Sequence, residues 1–336
     1  MIGKRTIRAF VVVLATVVTA QVRASGLHAV RYVMGTWCDL VIFDPDPDTE
    51  VAESAFREIA RLEDVLSNWD PASEVSRLNA SAGRGPQPVS VDLARVAEES
   101  AALCTTTGGA FDPSVAPLLQ AWGFYTESPG TPEPATQTAA ASHVGCDRVS
   151  VQRDPWSIAL TDGAALDFGG IGKGYAVDRA LAILRARGVT RAKLDFGSSS
   201  LGFVGSVDGG WPVVVADPRD RDEPLLSFRI AEGAVSTSSQ RERSFEQDGR
   251  RFGHIFDPRA ARPVQSRLLS VTVVAPRGST ADALSTALFV MGATEGKSVI
   301  SRMPGVGAVF VEEGASGPSI TTAGKLGRLT RVSRAH

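Results

Sequence analysis

The stretch "LDFGGIGKGYAVDRA", residues 166–180, constrains this chain more than any other, because four glycines and one lysine separate an apolar lead from an amphipathic run. An extended segment ends here, the backbone can approach a neighbour closely, and a helix follows. Val177, Leu181 and Leu184 repeat at helical spacing from Gly174 to Arg187, and Gly188 ends the run. The familiar phosphate loops do not fit. A Walker loop needs glycine at 167 and Ser or Thr at 174, where Asp167 and Gly174 stand. A dinucleotide fingerprint starting at Gly170 and Gly172 needs Gly or Ala at 175, where Tyr175 stands. Two readings stay open: an anion or ribose site at a helix N-terminus with Lys173 as its charge, or a tight strand-to-helix turn with a solvated lysine.

Elsewhere, strand-like and helical patterns alternate irregularly. "TWCDLVIF" (36–43) reads as a strand, and Val51, Ala55, Ile59, Leu62 and Leu66 mark a helix after it. Ser90 fits an N-cap, Leu93, Val96, Ala97, Leu103 and Cys104 an apolar helix face, and Gly108–Gly109 a stop. Residues 126–142 have no apolar period and read as a flexible surface loop. Hairpin-like segments at 149–166 and 211–238, the strand-like "LLSVTVVAP", the helix "STADALSTALFVMG" and strands around "GVGAVFVEE" complete the order. The pattern predicts an α+β fold with a mixed sheet in a single large domain over 26–336.

Lys4, Arg5 and Arg8 precede an apolar run from Ala9 to Ala20, with small residues at 18–20 and 24–25, which is the layout of a signal peptide over 1–25. The run is shorter than the ~20 residues a membrane-spanning helix needs. An exported, extracytoplasmic or periplasmic protein with no stable membrane span after processing is therefore expected. A net charge of −2 gives no basic footprint for nucleic acid, so a small molecule or a protein is the expected partner. Three cysteines match no metal or redox spacing. One disulfide is compatible with them, while Cys38 and Cys104, set among apolar or β-branched neighbours, read as buried small hydrophobes.

Three further segments carry chemistry. Asp282, Ser285 and Thr286 share one helical face, an oxygen-rich set suited to a hard cation such as Mg²⁺. The same residues also fit a capped helix start, with Ser279 as cap, Asp282 answering the dipole and Thr286 bonded back to the main chain. His254, in "GHIFDPRAARPV", suits a general base on a hydroxyl or a buried hydrogen-bonded ring, whereas His28, His143 and His336 read as solvated. "GGAFDPSVAPLLQAWGF" fits either an aromatic pocket for a planar ring or a loop over the core. "LSNWDPASEVSRLNA" poses the same choice for Trp69 and Arg77.

Taken together and in order, Met34-Gly35-Thr36, Ser67-Asn68-Trp69, "GGAFDPSVAPL", "LDFGGIGKGYAVDRA", "HIFDPR" and "ADALSTALFVMG" resemble the ApbE family of FAD:protein FMN transferases over nearly the whole mature chain. The resemblance implies a T-fold-like domain and an exported, Mg²⁺-dependent enzyme. Such an enzyme attaches the FMN part of FAD to a threonine or serine hydroxyl of an exported acceptor flavoprotein and releases AMP. It implies a metal held by Asp282, Thr286, the position of Ser285 and the carbonyl of Gly170. It places FAD against Met34, Trp69, Ala110, Phe111, Asp112, Asp167, Lys173, His254 and Ile255. Asp282 and His254 are then the catalytic pair, one for the cation and one for the hydroxyl proton. Where the family often has Asn-Ala-Gly-Gly-Asp after its middle strand, "DFGSSSLG" places Ser198–Ser200 instead; Ala260–Ala261 replace its usual Thr-Gly, and Ser285 stands at a position where an acid is common. Those departures keep two alternatives in view: a pyrophosphatase that hydrolyses FAD to FMN and AMP, and a non-catalytic periplasmic FAD-binding protein.

Overall fold

Alternation explains the first strands. Strand β2 (Thr36–Ile42) points Cys38, Leu40 and Ile42 inward, all fully buried, and turns Trp37 outward at 62 % exposure. It pairs with β1 (Leu27–Val33) through a tight turn at Met34–Gly35, both at positive φ. The computed structural model describes residues 26–239, 244–315 and 317–331. The signal-peptide expectation for residues 1–25 lies outside the described residues.

Among the described residues the central sheet has eight strands. After β1 and β2 come β3 (Ala192–Phe196), β4 (Ser200–Val204), then β5 (Trp211–Asp217) and β6 (Asp220–Ile230), which leave it, and β7 (Gly233–Ser238). β8 (Leu268–Ala275), β9 (Gly307–Gly314) and β10 (Gly317–Gly324) complete it in the order β1-β2-β3-β4-β7-β8-β9-β10. Every neighbouring pair is antiparallel, so the sheet is not mixed as the sequence suggests. The strands are joined by hairpins, or by helices that return the chain to the same end, and neither device produces a parallel neighbour.

Helices α1 (Thr49–Leu66), α2 (Val91–Thr106), α3 (Gly172–Ala186) and α4 (Gly278–Ile300) belong to one large core with one face of this sheet. Ser90 caps α2 by accepting from the Leu93 amide, and Gly108 and Gly109 terminate it at positive φ. Part of the other face is covered by a small sheet of β5, β6 and β11 (Thr330–Arg331), packed through Phe203, Trp211, Val213, Phe228 and Val309. No helix among the described residues is long and apolar enough to cross a membrane.

Three expectations are corrected. Residues 134–141 form a helix inside the predicted loop; Pro134 presets its first turn, and it contains no buried residue, which is why no apolar period marks it. Cys104 is buried but not a free hydrophobe, because it forms a disulfide with Cys146 that joins α2 to the loop before residues 149–152. Cys38 alone keeps the expected role, with its thiol pushed up to about 12 by burial and by Asp195 and Asp39. Finally, Ser279 does not cap α4. Asp178 on α3 does, accepting from the amides of Gly278 (2.6 Å) and Ser279 (3.0 Å) and from the Ser279 hydroxyl.

Candidate active site

The glycine turn sits where α3, α4 and the helix-facing side of β7 converge. Residues alternate along β7, so Ser236 and Ser238 face the helices while Val235 faces the small sheet. α4 brings Asp282 to this corner. One carboxylate oxygen accepts from the Gly174 amide (2.9 Å), and the other from the hydroxyls of Ser236 (2.8 Å) and Ser200 (3.4 Å). Asp282 is only 6 % exposed, and burial raises its carboxyl above the ordinary range against the opposing charge of Lys173 and these hydrogen bonds. Lys173, on the first turn of α3, donates to Ser199 Oγ at 2.6 Å.

These groups form the inner end of a cavity of about 910 Å³. All nine residues expected to contact FAD line it: Met34, Trp69, Ala110, Phe111, Asp112, Asp167, Lys173, His254 and Ile255. Of the four expected metal ligands, Gly170, Asp282 and Thr286 line it too. Ser285 does not join them; it is fully buried, with its hydroxyl on Ser238 Oγ (2.7 Å) and on the Asp282 carbonyl (2.8 Å). A residue three positions from Asp282 shares its helix face only loosely, and here it turns toward β7. Ser238, from β7, lines the cavity instead.

The fit to a hard cation rests on this corner. Among the described residues the Thr286 hydroxyl makes long contacts, 3.3 Å to Ser238 Oγ and 3.5 Å to the Asp282 carbonyl, so it retains capacity for a further partner. Gly170 packs so closely that a Cβ there would lie 3.2 Å from Thr286 Oγ1 and from the Phe111 ring. A buried carboxylate and a hydroxyl on one wall, with the Gly170 backbone beside them, are groups of the kind Mg²⁺ takes. A cation beside Asp282 would also offset the penalty of burying its charge.

The outer end is aromatic. Trp69 is 55 % exposed and meets Tyr125 edge to face at 5.5 Å, with Phe111 and Phe124 on the same walls. Trp122 instead joins a separate buried cluster with Phe252 and Phe256, so the segment lines the cavity at Phe111 and packs over the core at Trp122. Asp167 is fixed on both oxygens, by the Gly169 amide (2.6 Å) and the Tyr125 hydroxyl (2.5 Å). Asn68 and Asn79 hold the Leu166 carbonyl at 2.7 and 2.9 Å, anchoring the turn from outside. Tyr125, Asn79 and Ser238 escape sequence reading because their contacts join segments far apart in the chain, and no local spacing signals them. Arg77 stays outside the cavity wall, bonded to the Ala72 carbonyl.

Two departures from the family pattern leave a trace in the backbone. Ser198 and Ala261 hold φ of 63° and 54°, the left-handed region that glycine occupies without strain.

Fold and site define an α+β protein with a large cavity, lined by a buried carboxylate, hydroxyls and a lysine at one end and by aromatic rings at the other. The chain belongs to the ApbE family, whose sequence profile matches residues 34–310. It is 31% identical over 298 residues to the FAD:protein FMN transferase of Treponema pallidum, covering 83% of this chain and 82% of that protein. To the FAD:protein FMN transferase of Escherichia coli K12 it is 29% identical, covering 80% and 79%. The crystal structure of the ApbE protein from Thermotoga maritima superposes with a TM-score of 0.81 at 29% identity, covering 89% of this chain and 97% of that one. The flavin transferase ApbE from Vibrio cholerae gives 0.79 at 25% identity, covering 89% and 97%.

Proposed function

We propose that this protein is an exported, Mg²⁺-dependent flavin transferase that moves FMN from FAD to a threonine or serine hydroxyl of an acceptor protein and releases AMP. The observation that carries this reading is the convergence of all nine expected FAD contacts and three expected metal ligands on one cavity. Its volume lies near the top of the ~300–1,000 Å³ range of small-molecule sites, as a dinucleotide requires. Export is supported by the Cys104–Cys146 disulfide, which suits an oxidising compartment.

Asp282, Thr286 and the Gly170 carbonyl would hold the cation, which when bound neutralises charge on the pyrophosphate oxygens. Lys173 places a second positive charge beside the same wall. Trp69, Phe111 and Tyr125 offer flat surfaces to the flavin ring, and Asp167, locked by Tyr125, presents a fixed edge. His254, half-buried on the cavity wall, takes the proton from the acceptor hydroxyl as it attacks phosphorus.

The test is nucleotide analysis. AMP release from FAD should require an acceptor protein and should stop in Asp282→Ala. Equal release of FMN and AMP without any acceptor would support the pyrophosphatase, and FAD returned intact under all conditions would support a binding protein.

A further inference from the structure

Asp112 lies on the cavity wall and is 6 % exposed. Its Oδ1 accepts from the Ser114 amide (2.8 Å) and the Ser114 hydroxyl (2.7 Å). Ser114 is fully buried, and its Oγ accepts from the Gly145 amide at 2.8 Å. Gly145 precedes Cys146, whose disulfide to Cys104 ties this loop to the last turns of α2. An Asp112 carboxylate oxygen and the two sulfur atoms all lie within 4.8 Å of one another. One covalent bond, one loop amide and one serine therefore stand in series behind a cavity residue.

The segment before Cys146 packs on the Trp122–Phe256 cluster only through the partly buried Ala140, Ala141 and Val144, and its side-chain bonds run to the carbonyls of Ala261 and Asp162, so the disulfide and the Gly145 amide are its ties toward Asp112. Burial raises the Asp112 carboxyl, and the two Ser114 hydrogen bonds oppose that rise. Without them the side chain must either take up a proton or turn toward water, and both change the cavity wall.

We propose that the Cys104–Cys146 disulfide, acting through Gly145 and Ser114, positions Asp112 for flavin binding, so that reducing this bond lowers the affinity of the chain for FAD. The proposal rests on the reading of Asp112 as a flavin contact. In the reduction, the S–S bond breaks and each sulfur gains one electron and one proton. A dithiol supplies both pairs and closes to its own disulfide. Cys146 is partly exposed and open to attack, and the chain's third cysteine, Cys38, is buried and unpaired, so the reductant has one target.

The experiment measures the FAD dissociation constant by quenching of flavin fluorescence, with free thiols counted before each titration. Oxidised protein is compared with protein held in excess dithiothreitol, for wild type, Ser114→Ala and Asp112→Ala, all well below their melting temperatures. The expected result is a loss of about tenfold on reduction of the wild type. Ser114→Ala should be weakened to a similar degree already when oxidised and should lose little more on reduction, since the two changes cut the same chain of contacts. A disulfide that only stabilises the fold would lower the melting temperature and leave the dissociation constant unchanged, which would overturn the proposal. So would equal losses on reduction in wild type and Ser114→Ala. If Asp112→Ala binds FAD as tightly as oxidised wild type, the flavin-contact reading itself fails. If Asp112→Ala is weak while redox state has no effect, only the latch fails. A Cys104→Ala/Cys146→Ala variant repeats the comparison without reductant.

Discussion

Gly174→Ala is the substitution whose effect the structure specifies most sharply. A Cβ at Gly174 would stand 2.1 Å from the Gly278 carbonyl oxygen and 2.7 Å from Asp282 Cβ, both well inside the 3.4–4 Å of ordinary contact. Both obstacles belong to the start of α4, so α3 and α4 must separate. Overpacking of this kind costs about 1–3 kcal/mol. The separation also stretches the bond from the Gly174 amide to Asp282, whose loss from a charged acceptor costs about 1.5–3 kcal/mol. Replacing a helical glycine by alanine returns about 0.5–1 kcal/mol. The net prediction is a loss of about 1.5–5.5 kcal/mol, read from urea unfolding followed by circular dichroism. Gly172→Ala, two residues earlier in the same helix, is the control, because its Cβ would meet only ordinary contacts at 3.7 Å and beyond. That variant should match or slightly exceed wild-type stability. If the two variants unfold at the same urea concentration, the close approach of α3 to α4 is not what fixes this corner.

Asp282→Asn removes a buried charge that burial already disfavours, so it should melt close to wild type while transfer falls by about 10²-fold or more; a variant that transfers at the wild-type rate would remove Asp282 from the chemistry. Ser198→Gly and Ala261→Gly should each leave stability unchanged or raise it by up to about 1 kcal/mol, because glycine relieves the left-handed backbone, and a loss of stability in thermal melts would contradict the strain. The Glu58 carboxyl is held below its ordinary 4.5, first by its hydrogen bond from Arg61, with burial opposing and Arg179 assisting. The unfolded chain thus binds the proton first as pH falls. The stabilisation is complete above the unfolded value of about 4.5 and is lost as pH falls through the folded one, so Glu58→Gln should flatten stability against pH on the acid side.

Legibility in the sequence followed the range of the interactions. The helices containing Ile59, Val96 and Leu181 were readable because an apolar stripe is a local property, and the Ser90 cap lies within four residues of the amide it bonds. The cavity contacts were readable through motifs that the family resemblance joined. What was hidden is what depends on a partner distant in sequence. Asp178 caps a helix a hundred positions later, Ser238 stands at the corner where Ser285 was expected, and Tyr125 fixes Asp167. The Cys104–Cys146 pairing belongs to the same group, since a separation of 42 residues carries no preference of its own. The antiparallel sheet was hidden for a related reason, because strand order depends on how the connections cross and not on the pattern within a strand.

The most direct test of the account is the intact mass of a candidate exported acceptor domain after incubation with the mature protein, FAD and Mg²⁺. The account predicts a gain equal to one FMN less water, equimolar AMP, and neither product when EDTA is present. An acceptor of unchanged mass beside free FMN and AMP would contradict transfer and leave hydrolysis as the activity of this cavity.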